Sequence, residues 1–207
     1  MKNRKFLSVT LAICFFVGVL LADLLTKGLI IPNLISNVGD TIDVIPGFIN
    51  FIYVKNTGAA WGMLAGRPIF LIVVSIIVLS LLIAFYLLRI KKTGNHSSRL
   101  FGISMGLVAG GCIGNLFDRI VFGFVRDFIN FQFFEFPVFN FADVALTIGM
   151  ILLIVYFIFF YPKEDALLKA KDKEKANQSS EGVDQEFYVD NIENHQQVDK
   201  KEDENEG

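Results

Sequence analysis

Histidine, cysteine and tryptophan are scarce in this chain of 207 residues, which holds two, two and one of them. Each scarcity removes a class of chemistry. His96 falls in a short basic connection, His195 in an acidic terminal stretch, and Cys112 in an apolar run with no basic residue at its depth, so no Ser-His or Cys-His nucleophile is available. No HExxH occurs, and Cys14 and Cys112 have neither metal-ligand nor disulfide-framework spacing, so no metal and no cofactor are expected. A glycine-rich phosphate loop and a basic patch with interleaved aromatics are missing too, and no nucleic acid partner is expected. Charge is also thin. Charged residues make up 19% against 53% hydrophobic ones, and a mean hydropathy of +0.52 suits a membrane protein with a soluble appendage better than a soluble globular domain.

Apolar runs are what the chain has in abundance. Residues 6–22, 69–88, 100–117 and 144–161 each reach the roughly 17 to 20 residues that carry a helix across a hydrocarbon core about 30 Å thick. The first and third are short enough to need flanking residues or local thinning of the bilayer. "LAIC", ending at Cys14, looks like a lipoprotein cleavage box. The apolar stretch before it is short, Ile13 is bulky and hydrophobicity continues to Ala22, so an uncleaved first crossing is expected. Lys2, Arg4 and Lys5 precede that crossing, and "RIKKTGNHSSR" between the second and third supplies Arg89, Lys91, Lys92 and Arg99. Short loops rich in Lys and Arg stay in the cytoplasm. Both termini are therefore expected to be cytoplasmic, with the connections 23–68 and 118–143 outside.

Beyond residue 161 the composition changes. The part through 161 has 12 basic and 7 acidic residues, net +5, and the remainder has 7 and 14, net −7, which together make −2. Segment 162–207, low in apolar residues and without a core pattern, is expected to be an acidic, disordered cytoplasmic tail that follows a short helical extension of the fourth crossing. The expected domains are 1–161, a four-helix transmembrane unit that includes both outer connections, and this tail.

The outer connections are too long to be bare turns. "FINFIYV" in the first is β-branched and aromatic, with Pro46-Gly47 before it and Asn56-Thr57-Gly58 after it, which predicts strands joined by turns. "RDFINFQFFEFPVFNF" repeats the theme, with a density of Phe that suits chain lying in the membrane interface or roofing a cleft. Simple packing of the two loops on each other fits the same pattern, and Trp61 and Tyr53 read equally well as interface anchors. The fold class is an all-α polytopic membrane protein, four transmembrane helices with a small extracellular β-rich platform.

Polar residues gather at the outer ends of the crossings. "GCIGNLFDRI" closes the third segment with Asn115, Asp118 and Arg119, and "FNFADVAL" opens the fourth with Asn140 and Asp143. Asp118 and Asp143 thus share a depth on antiparallel neighbours, where charge is expensive and faces a bundle interior or cavity. Spacings of three and four put Asn115 with Asp118 and Arg119, Asn140 with Asp143, and Asp23 with Lys27 on common helix faces. Gly106, Gly110, Gly111 and Gly114 thin the third segment for a neighbouring helix or a substrate. Three readings stand at this point: capping and charge pairing at helix ends; a transporter or channel, whose path would need more than Ser75, Ser80, Ser104 and Thr147 at the segment centres; and a hydrolase whose two carboxylates share one proton.

At these residues the chain resembles the lipoprotein signal peptidase family, the type II signal peptidases. The matching motifs are "DLLTK" (23–27), "VKNTGAAWG" (54–62), "GNLFDRI" (114–120) with "GFVRDFI" (123–129), and "FNFAD" (139–143). They occur in order and at matching topological positions, from the first helix to the fourth. Trp61 and Arg126 stand where the family pattern varies, and the tail is an addition to it. The resemblance implies an aspartic endopeptidase, without metal or cofactor, that cuts the signal peptide from diacylglyceryl-modified prolipoproteins on the amino side of the lipidated cysteine. Carried over by position, it implies Asp118 and Asp143 as catalytic, with Asp23, Lys27, Asn56, Gly58, Asn115, Arg119, Asp127, Asn140 and Ala142 binding substrate or supporting the dyad. It further implies a monomer in the bacterial cell membrane, in contact with membrane lipids, with its active site near the outer face; the composition of 176–207, too poor in apolar residues to repay ordering, makes that part of the tail expected to be dispensable. A noncatalytic binding module or chaperone for lipid-modified proteins is the alternative.

Overall fold

The computed structural model describes residues 4–59, 63–93 and 98–174. Trp61, His96, His195 and the stretch 175–207, with the disorder expected of it, lie outside the described residues. The chain divides into two compact units, Met1–Tyr161 and Pro162–Gly207. The described part of the second, through Glu174, is helical and carries an Asp165–Lys169 ion pair of 3.0 Å one turn apart.

The first unit runs α1 (Arg4–Leu34), β1 (Thr41–Ile45), β2 (Ile49–Asn56), α2 (Pro68–Thr93), α3 (Arg99–Phe122), β3 (Val125–Phe131) and α4 (Phe141–Val155), then a π-helical turn at Tyr156–Phe160. All four helices are long and apolar enough to cross a membrane. The result is a four-helix membrane-spanning bundle with a small open sheet on one side, as the sequence pattern predicts.

The first helix corrects one expected boundary. It continues past residue 22, where the outer connection was placed, through Leu34. Its last turns carry Ile31, and Ile35 follows one turn on; both pack on Tyr53 of β2 and Phe128 of β3 in a buried cluster. Burying that stripe outweighs Pro32, which withholds one backbone donor from the final turn. The fourth helix likewise starts at Phe141 rather than 144, because Asn140 and Asp143 form a reciprocal capping box.

α3 is the central helix, and its glycines show why. A Cβ on Gly106 or Gly110 would collide with Ala12 or Val19 of α1, and one on Gly111 with Ala142 and Leu146 of α4. Small residues at four-residue spacing let backbones approach closely. The space beside these glycines is thus filled by neighbouring helices rather than left open. At the other end of the bundle Phe101, Met105, Leu153 and Tyr156 form an apolar cluster, and Arg89 donates to the Tyr156 hydroxyl at 3.4 Å with its guanidinium 4.2 Å from the centre of the Tyr161 ring.

The sheet has the order β1-β2-β3, antiparallel throughout. Its ladder sets Val54 opposite Asp127 and Lys55 opposite Arg126. The segment entering α4 is clipped onto β3: Phe128 N and Ile129 N donate to Phe139 O, and Phe139 N donates to Ile129 O. That clip delivers Asn140, the next residue, to the side of Asp127.

Candidate active site

Strand geometry sends consecutive side chains to opposite faces. On β3 this turns Phe128 toward α1 and Asp127 toward a cavity of about 960 Å³ that also reaches Val54 and Asn56 of β2, Cys112, Asn115 and Arg119 of α3, and Asp143, Leu146 and Thr147 of α4. The cavity is polar at one end, where Asn56, Asn115, Arg119, Asp127 and Asp143 gather, and mostly apolar over the rest of its lining.

At that polar end two carboxylates converge, Asp127 and Asp143, and Asn140 joins them. Its Nδ2 donates to Asp127 Oδ1 at 2.7 Å, its Oδ1 accepts from Asp143 N at 3.0 Å, and its backbone N donates to Asp143 Oδ2 at 3.1 Å. Asn56 Nδ2 donates to Asp127 Oδ2 at 2.9 Å, and Asn115 Nδ2 donates to Asp143 Oδ1 at 2.7 Å. Burial, reinforced by the negative charge of Asp143, pushes the Asp127 carboxyl up to about 7; the donors Asn56 and Asn140 and the charge of Lys27 only partly offset this. Asp143 stands in the first turn of α4, where the helix dipole favours negative charge.

Behind this pair lies a charged layer with no exposure at Asp23, Lys27 or Asp118. Lys27 Nζ meets Asp23 Oδ2 at 2.8 Å, Asp118 Oδ2 at 3.2 Å and Asn115 Oδ1 at 3.4 Å. Asp23 Oδ1 in turn accepts from Ala142 N at 3.1 Å, tying α1 to the start of α4. Arg119 Nη2 donates to Gly58 O at 3.0 Å, and Gly58 N donates to Asn56 Oδ1 at 2.9 Å, which fixes the loop after β2 over α3.

All eleven residues singled out in the sequence therefore join one bonded network, but with an unexpected division. Asp143 faces the cavity. Asp118 does not line it and is fully buried against Lys27 and Arg126. Arg126 is the residue that sequence reasoning missed: Nη2 and Nε approach Asp118 Oδ1 at 2.7 and 3.2 Å, and its backbone N donates to Asp118 Oδ2 at 3.0 Å. The signal lay in "VRDF", where strand alternation opposes Arg126 to Asp127, and in Gly123, whose φ of 80° turns β3 back along α3 toward Asp118. Cys112 lines the cavity as well, as a half-buried thiol.

Comparison with known proteins bears on this arrangement. Residues 15–159 match the family model described as signal peptidase (SPase) II. The lipoprotein signal peptidase of Staphylococcus carnosus is 41% identical over 161 residues, 77% of this chain and 96% of that protein. That of Lactobacillus johnsonii is 38% identical over 146 residues, 70% and 90% of the two. A solved structure described as a bacterial membrane enzyme, at 1.9 Å resolution, superposes with a TM-score of 0.61 at 34% identity, covering 73% of this chain and 95% of the other.

Proposed function

This chain belongs to the signal peptidase II family, and on that premise we propose that Asp127 and Asp143 are its catalytic pair. It is a multi-pass membrane protein and an aspartic endopeptidase that removes signal peptides from prolipoproteins. Asp127 takes the place that sequence position alone assigned to Asp118. The observation that carries this is the joint opening of Asp127 and Asp143 onto one cavity, bridged by Asn140, while Asp118 is enclosed by two cations away from it.

Two carboxylates that share Asn140 and act on one another by charge hold one proton between them more readily than none or two. Asp127, with its raised affinity for a proton, is the acid, and Asp143 is the base. Asp143 takes a proton from water as the water oxygen attacks the scissile carbonyl carbon. Asp127 hydrogen-bonds the carbonyl oxygen, and as the C–N bond breaks a proton passes to the leaving nitrogen. Asn56, Asn115 and Asn140 hold both carboxyl groups in register, and Arg119 with Gly58 keeps the neighbouring loop over the cavity.

The substrate is a prolipoprotein already carrying diacylglyceryl on its cysteine, cut on that residue's amino side; the apolar walls of the cavity suit an apolar signal helix. Residues 1–161 carry the peptidase, 162–207 form a cytoplasmic appendage, and 176–207 are dispensable for cleavage. The basic connection between α2 and α3 puts that end of the bundle in the cytoplasm, with both termini, and the catalytic pair near the outer face of the cell membrane. The enzyme acts as a monomer. Incubating the purified protein with a synthetic diacylglyceryl prolipoprotein peptide and weighing the products tests this reading: a peptide beginning at the lipidated cysteine is expected, and intact substrate would overturn it.

A further inference from the structure

We propose that Arg126 is a positioning residue for the reacting pair: through Asp118 it fastens β3 to α1 and α3, and it cancels the negative charge Asp118 would otherwise present to Asp127 and Asp143. This rests on the assignment of the pair above. Arg126 immediately precedes Asp127, so whatever holds one sets the backbone of the other. Arg126 grips Asp118 with its side chain at 2.7 and 3.2 Å and its backbone N–H at 3.0 Å, and Lys27 takes the remaining approach at 3.2 Å. The guanidinium also lies 4.3 Å from the centre of the Phe122 ring. One carboxylate thereby joins three elements at the residue next to Asp127.

The charges balance in two groups. Asp23 and Asp118 are matched by Lys27 and Arg126, and Arg119 is matched by Asp127 and Asp143 when that pair holds one proton. The groups are not independent, since Arg119 is within electrostatic reach of Asp143, Asp127 and Asp118. Facing Asp127 are Asp143 and Asn140 at the start of α4, Asn56 of β2, Lys27 of α1 and Arg119 of α3. Removing the charge of Arg126 leaves the first group at one net negative charge in poorly screened surroundings. The pair then keeps its proton to higher pH.

The test uses the full-length protein in detergent and the synthetic diacylglyceryl prolipoprotein peptide, with rates read by mass. Arg126→Gln is expected to lower kcat about 10- to 100-fold with KM within about threefold, and to move the pH profile upward. Arg126→Lys keeps the charge without the fork, so it is expected to retain the wild-type profile with kcat reduced about three- to tenfold. Wild-type kcat in both variants overturns the inference, as does a reduced kcat in Arg126→Gln with an unmoved profile. If Arg126→Gln does not fold, Arg126→Lys decides alone: a shifted profile or an unchanged kcat overturns it. Full activity in Asp127→Asn would sink the assignment of the pair, whereas an inactive Asp127→Asn beside a wild-type Arg126→Gln would sink this inference only.

Discussion

α2 and α3 are of similar length, and they meet their surroundings in opposite ways. Within the most apolar window of each, 6% of α2 is buried against 56% of α3. α2 places Ile, Val or Leu at 15 of its 26 positions, whereas α3 interleaves five glycines with Asn115, Asp118 and Arg119. The contrast shows what licenses charge at membrane depth. A helix face that touches lipid must be apolar, and a face enclosed by protein can carry ions if its neighbours supply every partner. Lys27 and Asp118, both fully buried and mutually paired, are possible only because α1, α4 and β3 close over α3.

The largest break in that contrast comes from the polar end itself. Asp127→Asn and Asp143→Asn keep shape while ending proton transfer, each giving up one of the two hydrogen bonds its carboxylate accepts, and each is expected to lower the cleavage rate at least about a thousandfold, seen as accumulation of uncleaved lipidated peptide. Next comes the close packing of α3. A Cβ on Gly114 would lie 2.6 Å from Asp23 Oδ2, whose carboxyl is buried and bonded on both oxygens. Gly114→Leu is therefore expected to cost about 1–3 kcal/mol in detergent unfolding and to cut activity with it.

A smaller effect concerns pH. The Asp127 carboxyl is raised from 3.8 to about 7 in the folded chain, so between those values the folded state binds the proton that the unfolded state has released. Stability contributed by that group is lost as pH rises through this window. Asp127→Asn is expected to flatten the slope and to melt at or above the wild-type temperature at pH 8, measured by thermal unfolding across pH. The smallest effect is expected on the outward face of α2, where Ile77 and Leu81 are exposed. Exchanging Ile77 for Leu or Leu81 for Ile should leave both melting temperature and cleavage rate unchanged, within about 0.5 kcal/mol.

Much of this was legible in the residues because membrane burial is a coarse signal. Four long apolar runs announce four crossings, "FINFIYV" announces strand, and helical spacing alone puts Asp23 with Lys27 and Asn140 with Asp143. The rest depended on contacts between distant elements. The extension of α1 through Leu34 is set by Ile31 and Ile35 meeting Tyr53 and Phe128. Which aspartate shares a cavity with Asp143 was hidden for the same kind of reason. Equal depth on neighbouring helices favours Asp118, but one of the two cations that enclose Asp118, Arg126, comes from β3, and the direction in which β3 runs is visible only once Gly123 has turned the chain and Phe139 has clipped it.

The central claim is that Asp127 reacts and Asp118 holds, and one paired measurement separates the two. Asp127→Asn and Asp118→Asn, each full length, are compared for thermal unfolding and for cleavage of the lipidated peptide per folded molecule. Taking the charge from Asp118 leaves Lys27 and Arg126 without their shared partner, a change that in buried ion pairs costs about 3–5 kcal/mol. The account predicts a stable Asp127→Asn that makes no product and an unstable Asp118→Asn whose folded fraction still cuts. An Asp118→Asn that melts like wild type and is inactive, beside an Asp127→Asn that cleaves, would contradict it.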